Sequence, residues 1–117
     1  MLIPEQVKYK IDYEIVVDCY DYYEVSLGWL TTMEDGLEFP FTATAALKNL
    51  DGTIAFRQVS IVGLDADEES FKGSDFNLEM ADGEYIMPVA YSKLSKIDAS
   101  EQTMELFQCW DYWVSKY

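Results

Sequence analysis

The sequence predicts an α+β fold, in which two helices pack on a small, strongly curved antiparallel sheet or a five-stranded barrel. Apolar residues recur at helical spacing near both ends of the chain, and short alternating segments separated by tight turns occupy its middle. Half of the 117 residues are apolar, which is enough to form a core. We expect residues 1–117 to form a single domain.

The first helix is predicted from about Asp12 to Met33. Its apolar stripe consists of Ile15, Cys19, Tyr22, Tyr23, Leu27, Leu30 and Met33. Gly28 lies within this pattern and would allow close packing against another element. Gly36 stands where a C′ glycine commonly ends a helix, and Pro40 prevents its continuation.

Four short strands are predicted between the two helices: Thr42–Leu47, Ile54–Leu64, Asp75–Ala81 and Glu84–Val89. The first two flank a turn at residues 49–52. The last two flank Asp82-Gly83, a strong hairpin signal. Pro88 indicates that the final strand lies at an edge of the sheet, because proline cannot donate to the ladder.

A second helix is predicted at the C-terminal end of the sequence. Either Asp98 or Ser100 can cap it, and Asp98 with Glu101 has the spacing of a capping box. Its apolar stripe consists of Thr103, Leu106, Phe107, Trp110, Trp113 and Val114.

The composition excludes several classes of function. Twenty-two acidic residues face eight basic ones, and the resulting net charge of −14 opposes binding to nucleic acid or to an anionic membrane. The chain contains no histidine, so His-based catalysis and His-ligated zinc are excluded. Cys19 and Cys109 are expected to be buried, unpaired thiols. The start of the sequence does not resemble a secretory signal, so we expect a cytoplasmic protein. We also expect the protein to be non-catalytic.

Two acidic clusters are candidates for binding a cation. Glu34-Asp35-Gly36 with Glu38 lies at the predicted helix end, where the helix dipole disfavours carboxylates unless positive charge compensates. Asp65-Ala66-Asp67-Glu68-Glu69-Ser70 lies in a loop, where carboxylate and carbonyl oxygens can surround calcium. The EF-hand motif does not fit, because Ser70 and Phe76 replace its glycine and its final glutamate.

The residues alone leave three interpretations of this charge open: a metal site, solvated acidic loops, or an acidic face that binds a partner. Glu14, Asp18 and Asp21 would also line one face of the first helix, where a solvated surface is the simplest interpretation.

The sequence resembles a known family of acidic proteins, the cyanobacterial-type calcium-binding proteins of the CcbP family. The similar segments are Ile15–Asp21, Gly28-Trp29, Glu34–Ala43, Val62-Gly63-Leu64, Met87-Pro88-Val89 with Ser92 and Leu94, and Trp110–Val114. The resemblance implies an SH3-like barrel with helices that binds Ca²⁺. It assigns Asp35, Asp67 and Glu68 as ligands, with Glu34, Asp65 and Glu69 as plausible additions.

This sequence departs from the family pattern in three respects. The segment Phe71–Asn77 lengthens the acidic loop, and the short Glu/Asp-Cys pattern that follows the acidic stretch in the family is absent. Asp111 stands where the family has a histidine between its two tryptophans.

Two other functions compete with calcium binding. An acidic domain could imitate the charge of nucleic acid and occupy a basic groove on a protein partner. Paired carboxylates could hydrolyse glycosides, but a single domain without histidine makes an enzyme the weakest alternative. The aromatic residues are expected to be core rather than a ligand site: Tyr20, Tyr22, Tyr23, Trp29, Phe39, Phe41, Phe107, Trp110, Tyr112 and Trp113.

Overall fold

The computed structural model describes residues 2–17, 19–66, 71 and 73–116. Its helices are α1 (Pro4–Lys10), α2 (Tyr22–Gly36) and α3 (Glu101–Lys116), with a π-helical turn at Ile11–Ile15 and a 3₁₀ turn at Tyr91–Lys93. Its strands are β1 (Phe41–Lys48), β2 (Ile54–Leu64), β3 (Asn77–Asp82), β4 (Tyr85–Ala90) and β5 (Leu94–Asp98). None of the described helices is long and apolar enough to cross a membrane.

The predicted continuous helix from Asp12 to Met33 is wrong in its first half. The chain leaves the helical path after Ile15, and α2 begins again at Tyr22. The Asp21 carboxylate accepts the Glu24 amide at 2.8 Å, and the Glu24 carboxylate accepts the Tyr20 amide at 3.0 Å. The first hydrogen bond caps a new helix at Asp21, and the second ties the residue before the cap to the first helical turn.

The helix break removes the predicted acidic ridge, because Glu14 and Asp21 do not share one helix face. Asp18 lies outside the described residues. The break also corrects the prediction that the tyrosines belong to the core. Tyr20, Tyr22 and Tyr23 are all exposed at the start of α2.

The five strands form one antiparallel sheet in the order β4-β3-β2-β1-β5. Over the described residues β4 and β5 are its two edges and do not pair, so a closed barrel is not confirmed. The edge position of Pro88 is confirmed, as is a hairpin between β3 and β4. Its turn lies one residue later than predicted, at Gly83-Glu84, because Asp82 pairs with Tyr85. β5 was not predicted, because it is short and joins β1 through an irregular register.

The helices cover one face of the sheet and enclose an aromatic core. Trp29 of α2 meets Trp110 of α3 edge to face, with ring centroids 5.0 Å apart. Phe107 of α3 packs in the same way on Phe41 of β1 at 5.8 Å. The core prediction is therefore confirmed for these four aromatic residues, which are all buried.

Two glycines mark close approaches between elements. A Cβ on Gly28 would lie 2.5 Å from the Ile15 carbonyl oxygen, which confirms the close packing predicted there. Gly36 is the last residue of α2 and does not adopt a positive φ, so its predicted role as a C′ glycine is wrong. A Cβ on Gly36 would lie 2.5 Å from Leu106 Cδ1, so its small size lets α3 approach.

The start of α3 follows one of the two predicted caps. The Thr103 amide donates to the Ser100 hydroxyl at 3.3 Å, which identifies Ser100 as the cap. Asp98 belongs to β5, so the predicted capping box between Asp98 and Glu101 is not formed. Sheet pairing with Thr42 holds Asp98 away from the helix.

Candidate metal centre

The end of α2 is fastened to the first turn of α3 through backbone groups. The Gly36 carbonyl accepts a hydrogen bond from Gln102 Nε2 at 2.8 Å, and the Glu38 amide donates to Thr103 Oγ1 at 2.9 Å. Thr103 is completely buried. These bonds satisfy backbone groups that the helix end leaves unpaired, and they fix its position without using the carboxylates of Glu34 or Asp35.

The carboxylates at this helix end carry negative charge that the described residues do not neutralise. Glu34 and Asp35 are exposed in the last turn of α2, and Glu38 accepts the Ser100 hydroxyl at 2.6 Å. The salt bridges that the structure describes, Lys10–Glu14 and Arg57–Asp82, lie elsewhere. Since the helix dipole adds further negative potential here, a bound cation would relieve the repulsion.

The acidic loop begins directly after β2. The half-buried Asp65 donates its amide to the Asn77 carbonyl at 3.1 Å, which extends the β2–β3 ladder by one hydrogen bond. The predicted ligands Asp67, Glu68 and Glu69 lie outside the described residues. A loop between two strands agrees with the exclusion of an EF-hand, which requires flanking helices.

Phe71 anchors this loop in the core. Its side chain is 3% exposed, stacks on Phe76 with centroids 4.6 Å apart, and meets the edge of Trp110 at 5.3 Å. Its φ of 68° is unusual for a bulky residue. The Ser26 hydroxyl of α2 also donates to the Phe71 carbonyl at 3.4 Å. The only signal of this anchor in the sequence is weak, an aromatic residue within a polar stretch.

Asp75 closes the other end of the loop, and it was not predicted from the sequence to be a functional residue. Its Oδ1 accepts the Phe76 amide at 2.9 Å and the Ser92 amide at 3.1 Å, while its Oδ2 accepts the Ser92 hydroxyl. The predicted strand at Asp75 therefore begins two residues later, at Asn77. The carboxylate of Asp75 joins the loop to the segment that follows β4.

Asp111 has a structural partner of its own. Its Oδ1 accepts the Tyr91 hydroxyl at 2.9 Å, and the Tyr91 ring stacks against Phe76 with centroids 4.9 Å apart. Desolvation of the carboxyl raises the pKa of Asp111 above its usual value, although the hydrogen bond from Tyr91 partly opposes this. Burial, followed by the charge of Asp111, raises the pKa of Tyr91 as well.

The two cysteines form no disulfide with one another. Cys109 is buried, and burial raises the pKa of its thiol to about 11, so the expectation of an inert buried thiol is confirmed for this residue. Cys109 therefore supplies no thiolate ligand at neutral pH. Cys19 is only half-buried.

The described residues include no group of three or more metal-ligating side chains, so Glu34, Asp35 and Asp65 do not form one cluster. Their chemistry nevertheless fits a hard cation, because all are carboxylates and the chain has no histidine. If calcium binds here, Glu34 and Asp35 would supply oxygens from the helix end and Asp65 from the loop.

Comparisons with known proteins identify a calcium-binding family. The family model of CcbP, described as calcium binding, matches residues 9–114. The crystal structure of Anabaena CcbP is 29% identical, with a TM-score of 0.82 over 98% of this chain and 94% of that chain. A calcium-binding protein in its calcium-binding form is 28% identical, with a TM-score of 0.75 over 96% of this chain and 91% of that chain. No curated protein sequence matches.

Because the family model extends over nearly the whole chain and both structures share its fold, the chain belongs to the CcbP family of calcium-binding proteins.

Proposed function

We propose that this protein is a small, acidic, non-catalytic calcium-binding protein of the cytoplasm, formed by one domain over residues 1–117. Calcium is bound by carboxylates of the α2 end, Glu34 and Asp35, and of the β2–β3 loop, Asp65, Asp67, Glu68 and Glu69. The observation that carries the proposal is the pair Glu34 and Asp35, exposed and without a described salt bridge at the negative end of a helix.

Calcium binding is favoured because the ion relieves the repulsion between neighbouring carboxylates. Carboxylates that are crowded in the calcium-free protein destabilise the fold, and a divalent ion that binds only the native state stabilises it. Oxygen ligands in a flexible loop suit calcium better than magnesium, which demands regular geometry and retains its waters. The membership in a calcium-binding family supports the same choice of ion.

The way the loop is attached supports a role as a buffer rather than a sensor. Its start is hydrogen-bonded to Asn77, and Phe71 is already packed against Trp110. A loop fastened to the core at these two points can accept an ion with little rearrangement, as in calcium buffers that open only slightly.

The test is calorimetric titration of calcium-stripped protein with calcium and then with magnesium. We expect heat of binding with calcium, weaker heat with magnesium, and a melting temperature that calcium raises more than sodium of equal ionic strength does. The substitutions Asp35→Asn and Asp67→Asn should remove most of the heat and most of the rise in melting temperature.

The matched control is Glu84→Gln, which removes one exposed carboxylate at the β3–β4 turn. It should leave the calcium heat unchanged. Absence of heat with the unaltered protein, or an equal loss in Glu84→Gln and Asp35→Asn, would contradict the assigned site.

A second candidate function is an acidic interaction module that occupies a basic groove on a partner. The observation that favours it is the exposure of Tyr20, Tyr22 and Tyr23 beside Asp21, since exposed tyrosines and carboxylates together suit Lys- and Arg-rich surfaces. Binding of a polylysine peptide to calcium-free protein, lost on Tyr22→Ala and weakened by salt, would support it. Equal binding by Tyr22→Ala would mean that net charge alone is responsible.

A further inference from the structure

The β1–β2 hairpin extends beyond the rest of the sheet. β1 and β2 pair with each other as far as Lys48 and Ile54, but β2 pairs with β3 only from Ser60 onward and β1 pairs with β5 only between Thr42 and Ala45. Among the described residues, the segment 46–59, which we name the arm, is therefore a two-stranded ribbon with an unpaired edge on each side. Such a ribbon is marginally stable when it stands alone.

The arm also exposes apolar side chains. Phe56 is 70% exposed, Ile54 is 61% exposed, and Leu50 at the turn is fully exposed. An open strand edge next to exposed apolar residues is a surface on which another strand can add, with main-chain hydrogen bonds along the edge.

The other edges of the sheet are protected in ways that the arm is not. The β4 edge contains Pro88, which has no amide to donate. The β5 edge is five residues long and irregular, with Lys96 at a φ of 49°. Along the arm's β2 edge, residues 54–59, the only charged side chain is Arg57, which pairs with Asp82 of the same chain at 3.9 Å.

The distribution of charge indicates that the arm pairs with a second copy of this chain. The arm contains Lys48, Asp51 and Arg57, so its net charge is +1, whereas the remaining residues must carry −15 to give the total of −14. Two copies of this acidic chain repel each other least when they make contact through their arms. A twofold arrangement through the arms also leaves the two acidic bodies at opposite ends of the assembly.

We propose that the arm pairs with the arm of a second copy, β2 edge to β2 edge and antiparallel, with Phe56 close to the twofold axis. The four strands of the two arms then form one continuous ribbon. The contact is independent of calcium, because the arm contains none of the carboxylates assigned to the metal.

The test is sedimentation equilibrium of the full chain over a range of concentrations, with a chelator present to exclude calcium. We expect a reversible dimer whose dissociation constant falls as salt is added, because salt screens the repulsion between the acidic bodies. Phe56→Glu should weaken the dimer at least about tenfold, since it removes an apolar contact and adds a like charge at the axis.

Ile86→Glu is the matched control, because Ile86 is 55% exposed on β4 and lies outside the arm. It should dimerise as the unaltered chain does. Far-UV circular dichroism and the calcium heat should be retained in Phe56→Glu, which separates loss of the dimer from loss of folding and from failure of the calcium proposal. A monomer at every concentration, or equal weakening by the two substitutions, would overturn the inference.

Discussion

The end of α2 and the β2–β3 loop both present carboxylates, but they are fixed to the molecule in different ways. The α2 end is held by hydrogen bonds from its backbone to Gln102 and Thr103 and by the close approach of Leu106 to Gly36. The loop is held mainly by the packing of Phe71 on Phe76 and Trp110, with the ladder bond at Asp65 and the carboxylate of Asp75 at its two ends.

This difference shows two ways of supporting a charged site. At the helix end, polar bonds position the backbone and leave Glu34 and Asp35 directed at solvent. In the loop, the buried Phe71 ties an acidic segment to the core, because the hydrophobic effect acts on this side chain whatever charge its neighbours carry. The loop should therefore depend on packing, and the helix end on hydrogen bonding.

The largest effect is expected at the loop anchor. Phe71→Ala should lower the free energy of unfolding by about 3 kcal/mol, the usual cost of emptying a buried aromatic site. Urea denaturation followed by circular dichroism measures this loss. Leu50→Ala, a fully exposed apolar residue, is the control and should change stability by less than about 0.5 kcal/mol. A small loss in Phe71→Ala would mean that other contacts hold the loop.

The next prediction compares substitutions of two glycines, Gly36 at the end of α2 and Gly73 in the β2–β3 loop. Gly36→Val should cost about 2 kcal/mol, because its Cβ would lie 2.5 Å from Leu106 Cδ1 in a packed interface. Gly73→Val in the loop should cost far less, since a Cβ there meets nothing within 4 Å. Equal melting temperatures of the two variants would show that α3 can move away from α2 without penalty.

A smaller effect is expected from the hydrogen bond that fixes the α2 end. Thr103→Val preserves shape but leaves the Glu38 amide without its acceptor, which should cost about 1–2 kcal/mol. Urea denaturation again gives the value, with the exposed Thr42→Val of β1 as control. If the calcium heat also falls in Thr103→Val, the position of the helix end matters for binding as well as for folding.

The smallest effect concerns Asp111 and depends on pH. Its pKa is raised in the folded protein, so the native state holds this proton more tightly than the unfolded state, and stability falls as pH rises through the folded pKa. Asp111→Asn should therefore be slightly more stable than the unaltered protein at pH 7, while still accepting the Tyr91 hydroxyl. The difference should disappear below the usual pKa of an aspartate. A constant difference at all pH values would exclude titration as its cause.

The sequence predicted the parts of the fold that follow simple periodicity. The β1–β2 hairpin, the β3–β4 hairpin and the α3 stripe are present, because alternation, turn residues and helical spacing agree at these places. The helix break was missed, although Asp21 and Glu24 have the spacing of a helix start, because the apolar residues continued at helical spacing through it. β5 was missed because its few residues pair irregularly with β1.

The candidate site could be predicted by residue type but not by position. Glu34 and Asp35 stand out because no basic residue is near them in the sequence, and the structure places them at the end of α2 as expected. The residues that hold the loop and the α2 end in place were not predicted: Phe71, Asp75 and Thr103. Each of them contacts residues that are far away in the sequence. Asp67, Glu68 and Glu69 remain predictions.

All three tryptophans of the chain are gathered in one place, since Trp29 contacts both Trp110 and Trp113 at centroid distances of 5.0 and 5.8 Å. The Trp29 indole nitrogen is buried without a hydrogen-bond partner among the described residues, so its emission should be unusually blue. Because Phe71 touches Trp110 directly, the protein contains an intrinsic fluorophore cluster beside its acidic loop. Movement of that loop could be followed optically without attaching a dye.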